Sequence, residues 1–144
     1  MHYWDTSALV KLYVSEPDTP LFATYSTLTP FLICSELTRW EFFRVLARKE
    51  AEGMISHGGT VTIYSKFLSD VSAGKIKLTP MDRVLESRFQ QIVSLLHSLN
   101  PPLLVRTFDG IHVANADLHH ATEFVATDTN LRKCAAAVGL KLFP

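Results

Sequence analysis

Cysteine, surplus charge and long apolar runs are all scarce in this chain, and each scarcity removes a class of protein. Only two cysteines occur, Cys34 and Cys134, with no CxxC or other ligand-like spacing. That excludes a disulfide scaffold or a cysteine zinc site and points to a reducing cytoplasm. The opening MHYWDTS has neither the basic nor the apolar region of an export signal. No apolar run nears the roughly 20 residues that a bilayer requires, because even Phe89 to Leu104 is interrupted by polar residues, so no membrane span is expected. Fourteen basic residues balance fourteen acidic ones. The chain as a whole therefore has no pull on a polyanion unless bound cations cancel some of its carboxylates. A P-loop, a dinucleotide glycine fingerprint and HExxH are missing too.

What is present is the composition of a packed domain, 47% hydrophobic and 19% charged over 144 residues. A chain of this size buries about two-thirds of its unfolded surface and needs no staples. His2-Tyr3-Trp4 suits a short strand, and Asp5-Thr6-Ser7 supplies caps for a helix through ALVKLYV, broken at Glu16-Pro17-Asp18. Thr19 to Ser26 suits a second short helix. Phe31 to Cys34 reads as a buried strand with Ser35 as a cap, and Glu36 to Glu52 as an amphipathic helix ending at Gly53. A helical arm over Thr60 to Val71 stops at Gly74, Lys75 to Leu78 is a weak strand, and a helix runs from Pro80 to about Leu99 before Asn100-Pro101-Pro102. Phe108-Asp109-Gly110 opens a short helix through Leu118. A strand Glu123 to Ala126, a helix Asn130 to Ala137 and a last strand Leu140 to Phe143 complete the chain. Strands alternating with helices imply a parallel sheet covered on both faces, and with no linker or internal repeat one domain spans 1–144.

In such a sheet, ligands bind beyond the carboxyl ends of the strands, near the reversal of strand order. Acidic residues at those ends carry the chemistry here. Asp5 ends the first strand, Glu41 lies on the helix after the second, Asp109 opens a late helix and Asp128 follows the fourth strand. Each alone has an ordinary structural explanation: Asp5 or Asp109 as a helix cap, Glu41 as a partner of Arg44 or Arg48, Asp128 as a turn residue. Together they would repel one another unless a cation sat among them, and an oxygen-only donor set favours Mg²⁺ or Mn²⁺ over zinc. Glu36 is a rival to Glu41, but five helical residues separate their directions by about 140°, so only one can point inward. Glu41 also lies among Trp40, Phe42 and Phe43, whose aromatic character suggests a core environment. His112 stands one turn after Asp109 with no second histidine at ligand spacing, and reads as a packed core residue.

The stretches YWDTSALVKLY, SELTRWEFFRVLAR, RTFDGIHVANA and EFVATDTNLRKCAAAVGLKLF follow one another over nearly the whole chain. On these residues the chain resembles the PIN-domain nucleases, and within them the VapC-like toxins of prokaryotic toxin-antitoxin pairs. The hairpin between Gly53 and Pro80 is the part that the resemblance covers least. Gly110 stands where the family more often has Ala, and Asn115 where it often has Thr or another small residue. The resemblance implies a three-layer α/β/α fold around a parallel five-stranded sheet, with Asp5, Glu41, Asp109 and Asp128 as the four acids. It implies that Asp5, Asp109 and Asp128 hold Mg²⁺ or Mn²⁺, with Glu41 a further ligand or the carboxylate that orients the attacking water. RNA is then cut to leave a 5′-phosphate and a 3′-hydroxyl. Thr6 and Thr127, beside two acids, and Arg44, Arg48 and Arg106 are the candidates for holding substrate. A homodimer restrained by a cognate antitoxin is the expected assembly. The other readings are a PIN-type nuclease of RNA processing and a non-catalytic binding module, which would have lost an acid.

Overall fold

The computed structural model describes residues 1–144. Five short strands, β1 (His2–Trp4), β2 (Leu32–Ser35), β3 (Ile76–Thr79), β4 (Glu123–Val125) and β5 (Leu142–Phe143), form one sheet in the order β3-β2-β1-β4-β5. Every pairing is parallel, with Tyr3 opposite Ile33 on one side of β1 and opposite Phe124 on the other. Parallel neighbours need crossovers, and the helices supply them: α1 (Thr6–Leu9), α2 (Thr19–Ser26), α3 (Thr38–Ala51), α4 (Gly59–Ser72), α5 (Arg83–His97), α6 (Thr107–Leu118) and α7 (Thr129–Ala137). The first three strands step outward from the centre, and β4 then returns to the opposite side of β1. That reversal opens a crevice at the carboxyl ends of β1 and β4.

Alternation along β1 divides the core. Trp4 belongs to a cluster with Phe22, Phe42, Phe67 and Leu46 under the first four helices, whereas Tyr3 belongs to one with Leu85, Ile92, Leu96, Phe124 and Leu131 under the last three. Strands buried on both faces read as continuous apolar runs, which is what LIC of β2 shows. The result is the expected α/β/α sandwich. No helix is long and apolar enough to cross a membrane.

Several local expectations change in detail. The first helix lasts one turn before tightening into a 3₁₀ turn over Val10–Leu12. Glu36 is exposed in a turn, and α3 begins only at Thr38. Trp40 and Phe43 are 66% and 44% exposed, so only Phe42 of that aromatic group is core, contrary to the environment inferred for Glu41. The helix expected from Pro80 starts at Arg83, where the Asp82 carboxylate accepts from Leu85 N–H at 2.9 Å. Gly53 and Gly74 both adopt φ of +73° at the ends of α3 and α4, a conformation that favours glycine. Gly110 has a packing reason: a Cβ there would lie 2.8 Å from Phe89 Cε2, so glycine lets α5 press against α6. Asn115 is fully buried with neither amide atom hydrogen-bonded to the protein.

Candidate active site

A cleft of about 340 Å³ at the carboxyl end of the sheet is lined by Asp5, Glu41, Asp109 and Asp128, together with Thr6, Ser7, Arg44, Arg48 and Arg106. Four acids from four separate stretches of chain thus meet, each delivered by a different element. Asp5 follows β1 directly, and its N–H still donates to Val125 O at 2.9 Å, so the sheet fixes its backbone. Asp128 stands three residues past the end of β4 and opens α7. Glu41 projects from the first turn of α3, and Asp109 from the first turn of α6.

Two of the acids divide their oxygens between fold and cleft. Asp5 Oδ2 accepts from Ser7 N–H at 2.8 Å as the cap of α1, while Oδ1 lies 3.5 Å from His112 Nε2. Asp128 Oδ1 accepts from Leu131 N–H at 2.8 Å as the cap of α7, while Oδ2 meets the Arg106 guanidinium at 3.2 Å. Asp109 caps nothing: its Oδ2 accepts from Arg106 Nε at 2.7 Å, and that is its one side-chain hydrogen bond. Arg106 is therefore shared by two carboxylates, which hold its guanidinium pKa above the ordinary value, Asp109 contributing most.

Glu41 sits deeper. Its Oε2 accepts from Thr6 Oγ1 at 2.5 Å and contacts His112 Nε2 at 2.7 Å. His112 is 1% exposed, and its Nδ1 is 2.9 Å from the Tyr3 hydroxyl. Burial pushes the Asp5 pKa up and prevails over the lowering influence of His112 and Ser7. At Glu41 burial also pushes upward, but the hydrogen bonds from His112 and Thr6 outweigh it and the pKa falls. At His112 burial favours loss of the proton, yet Glu41, Asp5 and Asp109 together raise its pKa.

Carboxylate oxygens of Asp5 and Glu41 and a ring nitrogen of His112 lie within 4.8 Å of one another. Asp109 and Asp128 extend this group across the cleft. A cleft whose four carboxylates outnumber its three arginines, and where oxygen donors predominate, fits a hard divalent cation.

A model of the PIN domain matches residues 3–137. The chain belongs to the PIN domain family. The PIN domain here is 30% identical to Ribonuclease VapC47 of Mycobacterium tuberculosis (strain CDC 1551 / Oshkosh), over 96% of this chain and 93% of that protein. Its fold is shared with a structure of FitAB bound to an IR36 DNA fragment, at TM-score 0.74 and 19% identity, covering 99% of this chain and 94% of that one. It is shared also with VapC20 of M. tuberculosis, a sarcin-ricin loop cleaving toxin, at TM-score 0.69 and 15% identity, covering 97% and 96%.

Within this PIN domain, Thr6, Arg44, Arg48 and Arg106 line the cleft and Thr127 does not; its N–H donates to Ser7 Oγ at 3.0 Å, tying the end of β4 to that of β1. Arg48 also lies 3.7 Å from Glu52 one turn along α3. Sequence reasoning missed Tyr3, Ser7 and His112. His112 is as packed as expected, but it packs against the acids. The signal was available: Tyr3 shares a strand face with Asp5 at a spacing of two, and His112 a helix face with Asp109 at a spacing of three.

Proposed function

We propose that this PIN domain is a divalent-metal-dependent endoribonuclease, the toxin of a toxin-antitoxin pair, acting as a homodimer in the cytoplasm and restrained by a cognate antitoxin. The observation that carries the reading is the meeting of Asp5, Glu41, Asp109 and Asp128 in one cleft at the switch point of the sheet. The identity to Ribonuclease VapC47 over nearly the full length of both chains supports the choice of RNA and the toxin role.

Asp5, Asp109 and Asp128 would hold Mg²⁺ or Mn²⁺, with Glu41 beside them. The bound ion supplies Lewis-acid stabilisation of the phosphoryl oxygens and a lower pKa for the attacking water. The chain's own residues do the rest. Glu41 orients the water for in-line attack, which breaks the P–O3′ bond and leaves a 5′-phosphate and a 3′-hydroxyl. Arg44 and Arg48, on the same side of α3 as Glu41, hold flanking phosphates. Arg106, two-thirds exposed, is free to turn from Asp109 and Asp128 toward a phosphate. Thr6 steadies Glu41 through its hydroxyl.

The test is cleavage of RNA by the purified protein in Mg²⁺, in Mn²⁺ and in EDTA, beside Asp5→Asn and Asp109→Ala. Cleavage should vanish in EDTA and fall at least about 100-fold in each variant, beyond what loss of an outer-sphere partner costs. Expression of the wild type alone should arrest growth, and Asp109→Ala should not. A folded Asp109→Ala protein that cuts at the full rate overturns the assignment.

A further inference from the structure

We propose that Tyr3 and His112 are positioning residues for Glu41: a buried hydrogen-bond chain Tyr3–His112–Glu41 pins Oε2 and leaves Oε1 as the oxygen that faces the cleft. The proposal rests on the nuclease reading above and deepens it.

A glutamate on a helix has three side-chain torsions to restrain, and packing does not restrain this one, because Glu41 lies at the cleft wall. What holds it is convergence of two donors on one oxygen. Thr6 Oγ1 reaches Oε2 at 2.5 Å and His112 Nε2 at 2.7 Å, whereas Oε1 has no partner in the chain. An ionised carboxylate only accepts, so Nε2 must carry its hydrogen for this contact to be a bond. The same Nε2 lies 3.5 Å from Asp5 Oδ1, so one imidazole spans two acids that come from different elements.

The ring cannot turn away. Its other nitrogen meets the Tyr3 hydroxyl at 2.9 Å, and Tyr3 is itself fully buried and stacked on Phe124 with ring centroids 5.5 Å apart and planes within 9°. Any imidazole at 1% exposure must satisfy its nitrogens, but here the partner of Nε2 is an acid of the cleft rather than a backbone carbonyl or a core hydroxyl. Two bonded nitrogens make it an orienting group, as outer partners of metal-binding carboxylates are. Each positioning residue also comes from the element that delivers an acid: Tyr3 from β1, which leads directly into Asp5, and His112 from α6, which carries Asp109. The strand and helix that deliver those acids therefore deliver the restraint on the third.

The experiment compares His112→Ala, His112→Gln and Tyr3→Phe with the wild type. Mn²⁺ affinity is measured by titration calorimetry without RNA, kcat and KM on RNA, and folding by near-ultraviolet circular dichroism. His112→Ala should lose about 10- to 100-fold in Mn²⁺ affinity or kcat with KM for RNA unchanged within about twofold. His112→Gln, whose amide N–H can occupy the place of Nε2–H, should recover most of the loss. Tyr3→Phe, which keeps the ring and removes one hydrogen bond, should fall about 3- to 10-fold. Should His112→Ala not fold, the two shape-preserving variants carry the test, and a folded Tyr3→Phe with the kcat and Mn²⁺ affinity of wild type would overturn the proposal. Unchanged Mn²⁺ affinity and kcat in folded His112→Ala, or losses in His112→Gln equal to those of a folded His112→Ala, would overturn the proposal, as would a change confined to KM. A wild type that binds Mn²⁺ but cuts no RNA, with affinity falling in His112→Ala, supports the positioning role and overturns the nuclease reading. Absence of both binding and cleavage overturns the two together.

Discussion

Replacing Glu16 by Gln should destabilise the domain by about 2 kcal/mol, although Glu16 lies outside the cleft. Its two oxygens each take one lysine: Oε2 meets Lys11 Nζ at 2.5 Å and Oε1 meets Lys49 Nζ at 2.7 Å. Both lysine side chains are only 10% exposed, and Glu16 itself 26%. Lys11 keeps a second carboxylate, Asp18, at 2.8 Å, but Lys49 has otherwise only Met54 Sδ at 3.9 Å. Stranding a buried charge costs roughly 3–5 kcal/mol, and the quarter exposure of Glu16 lowers that to about 2 kcal/mol. For a chain of this length the loss amounts to about 6–8 °C in Tm, read by calorimetry at neutral pH. The pH profile gives an independent check. Burial would raise the Glu16 pKa, but the two lysines outweigh it and hold it below its ordinary 4.5. A depressed carboxyl contributes stability above its unfolded pKa and loses it as pH falls through the folded one, so the gap between wild type and variant should close below about pH 4.5. Glu16→Leu combined with Lys49→Met, which removes both charges of the stranded pair, should recover most of the loss. A Tm within about 1 °C of wild type for Glu16→Gln, or a double variant worse than the single one, would refute the reasoning. The link to function is that this pair joins the segment after α1 to α3, and so the neighbourhood of Asp5 and Thr6 to that of Glu41.

Gly110→Ala brings better helix propensity, worth about 1 kcal/mol, against a Cβ placed 2.8 Å from Phe89, an overpacking that costs about 1–3 kcal/mol. Urea unfolding should show lower stability and kcat should fall as α6 shifts Asp109, both restored by Phe89→Leu; a gain of about 1 kcal/mol would show that Phe89 yields freely. Arg44→Gln should weaken binding of single-stranded RNA of any sequence and reduce the salt slope by about 0.7, measured by anisotropy with Ca²⁺ as the ion. An unchanged slope places Arg44 off the phosphates.

Much of this was legible because the fold is written in strand ends. Short aromatic or apolar runs that lead into Asp directly or after one Thr, as in YWD and FVATD, announce both a parallel strand and a polar residue beyond its carboxyl end, and β1, β4 and their acids lie where that pattern put them. Helix starts were less legible. Glu36 to Leu37 fits helical periodicity, but Glu36 N–H still bonds Thr79 O, continuing the pairing of β2 with β3 by one residue, and α3 begins at Thr38. The environment of Glu41 was misread for a related reason: three aromatics in sequence cannot all face inward on a helix, and Trp40 and Phe43 turn out to solvent. His112 was discounted because a lone histidine lacks the spacing of a zinc site. Its partners are carboxylates 71 and 107 residues away and a tyrosine 109 away, contacts that no local pattern encodes.

The division of oxygens at Asp5 and Asp128 bears on how relatives of this chain should be compared. Each of these two aspartates starts a helix with one oxygen and lines the cleft with the other. A copy that had abandoned catalysis would still be under pressure to keep a capping side chain at both places, since losing one costs about 1 kcal/mol. Their survival in a sequence therefore testifies to the scaffold as much as to the reaction. Asp109 starts no helix and has only Arg106 for company, so folding alone exerts little hold on it. It is the acid whose retention or loss tells an active member from a silent one.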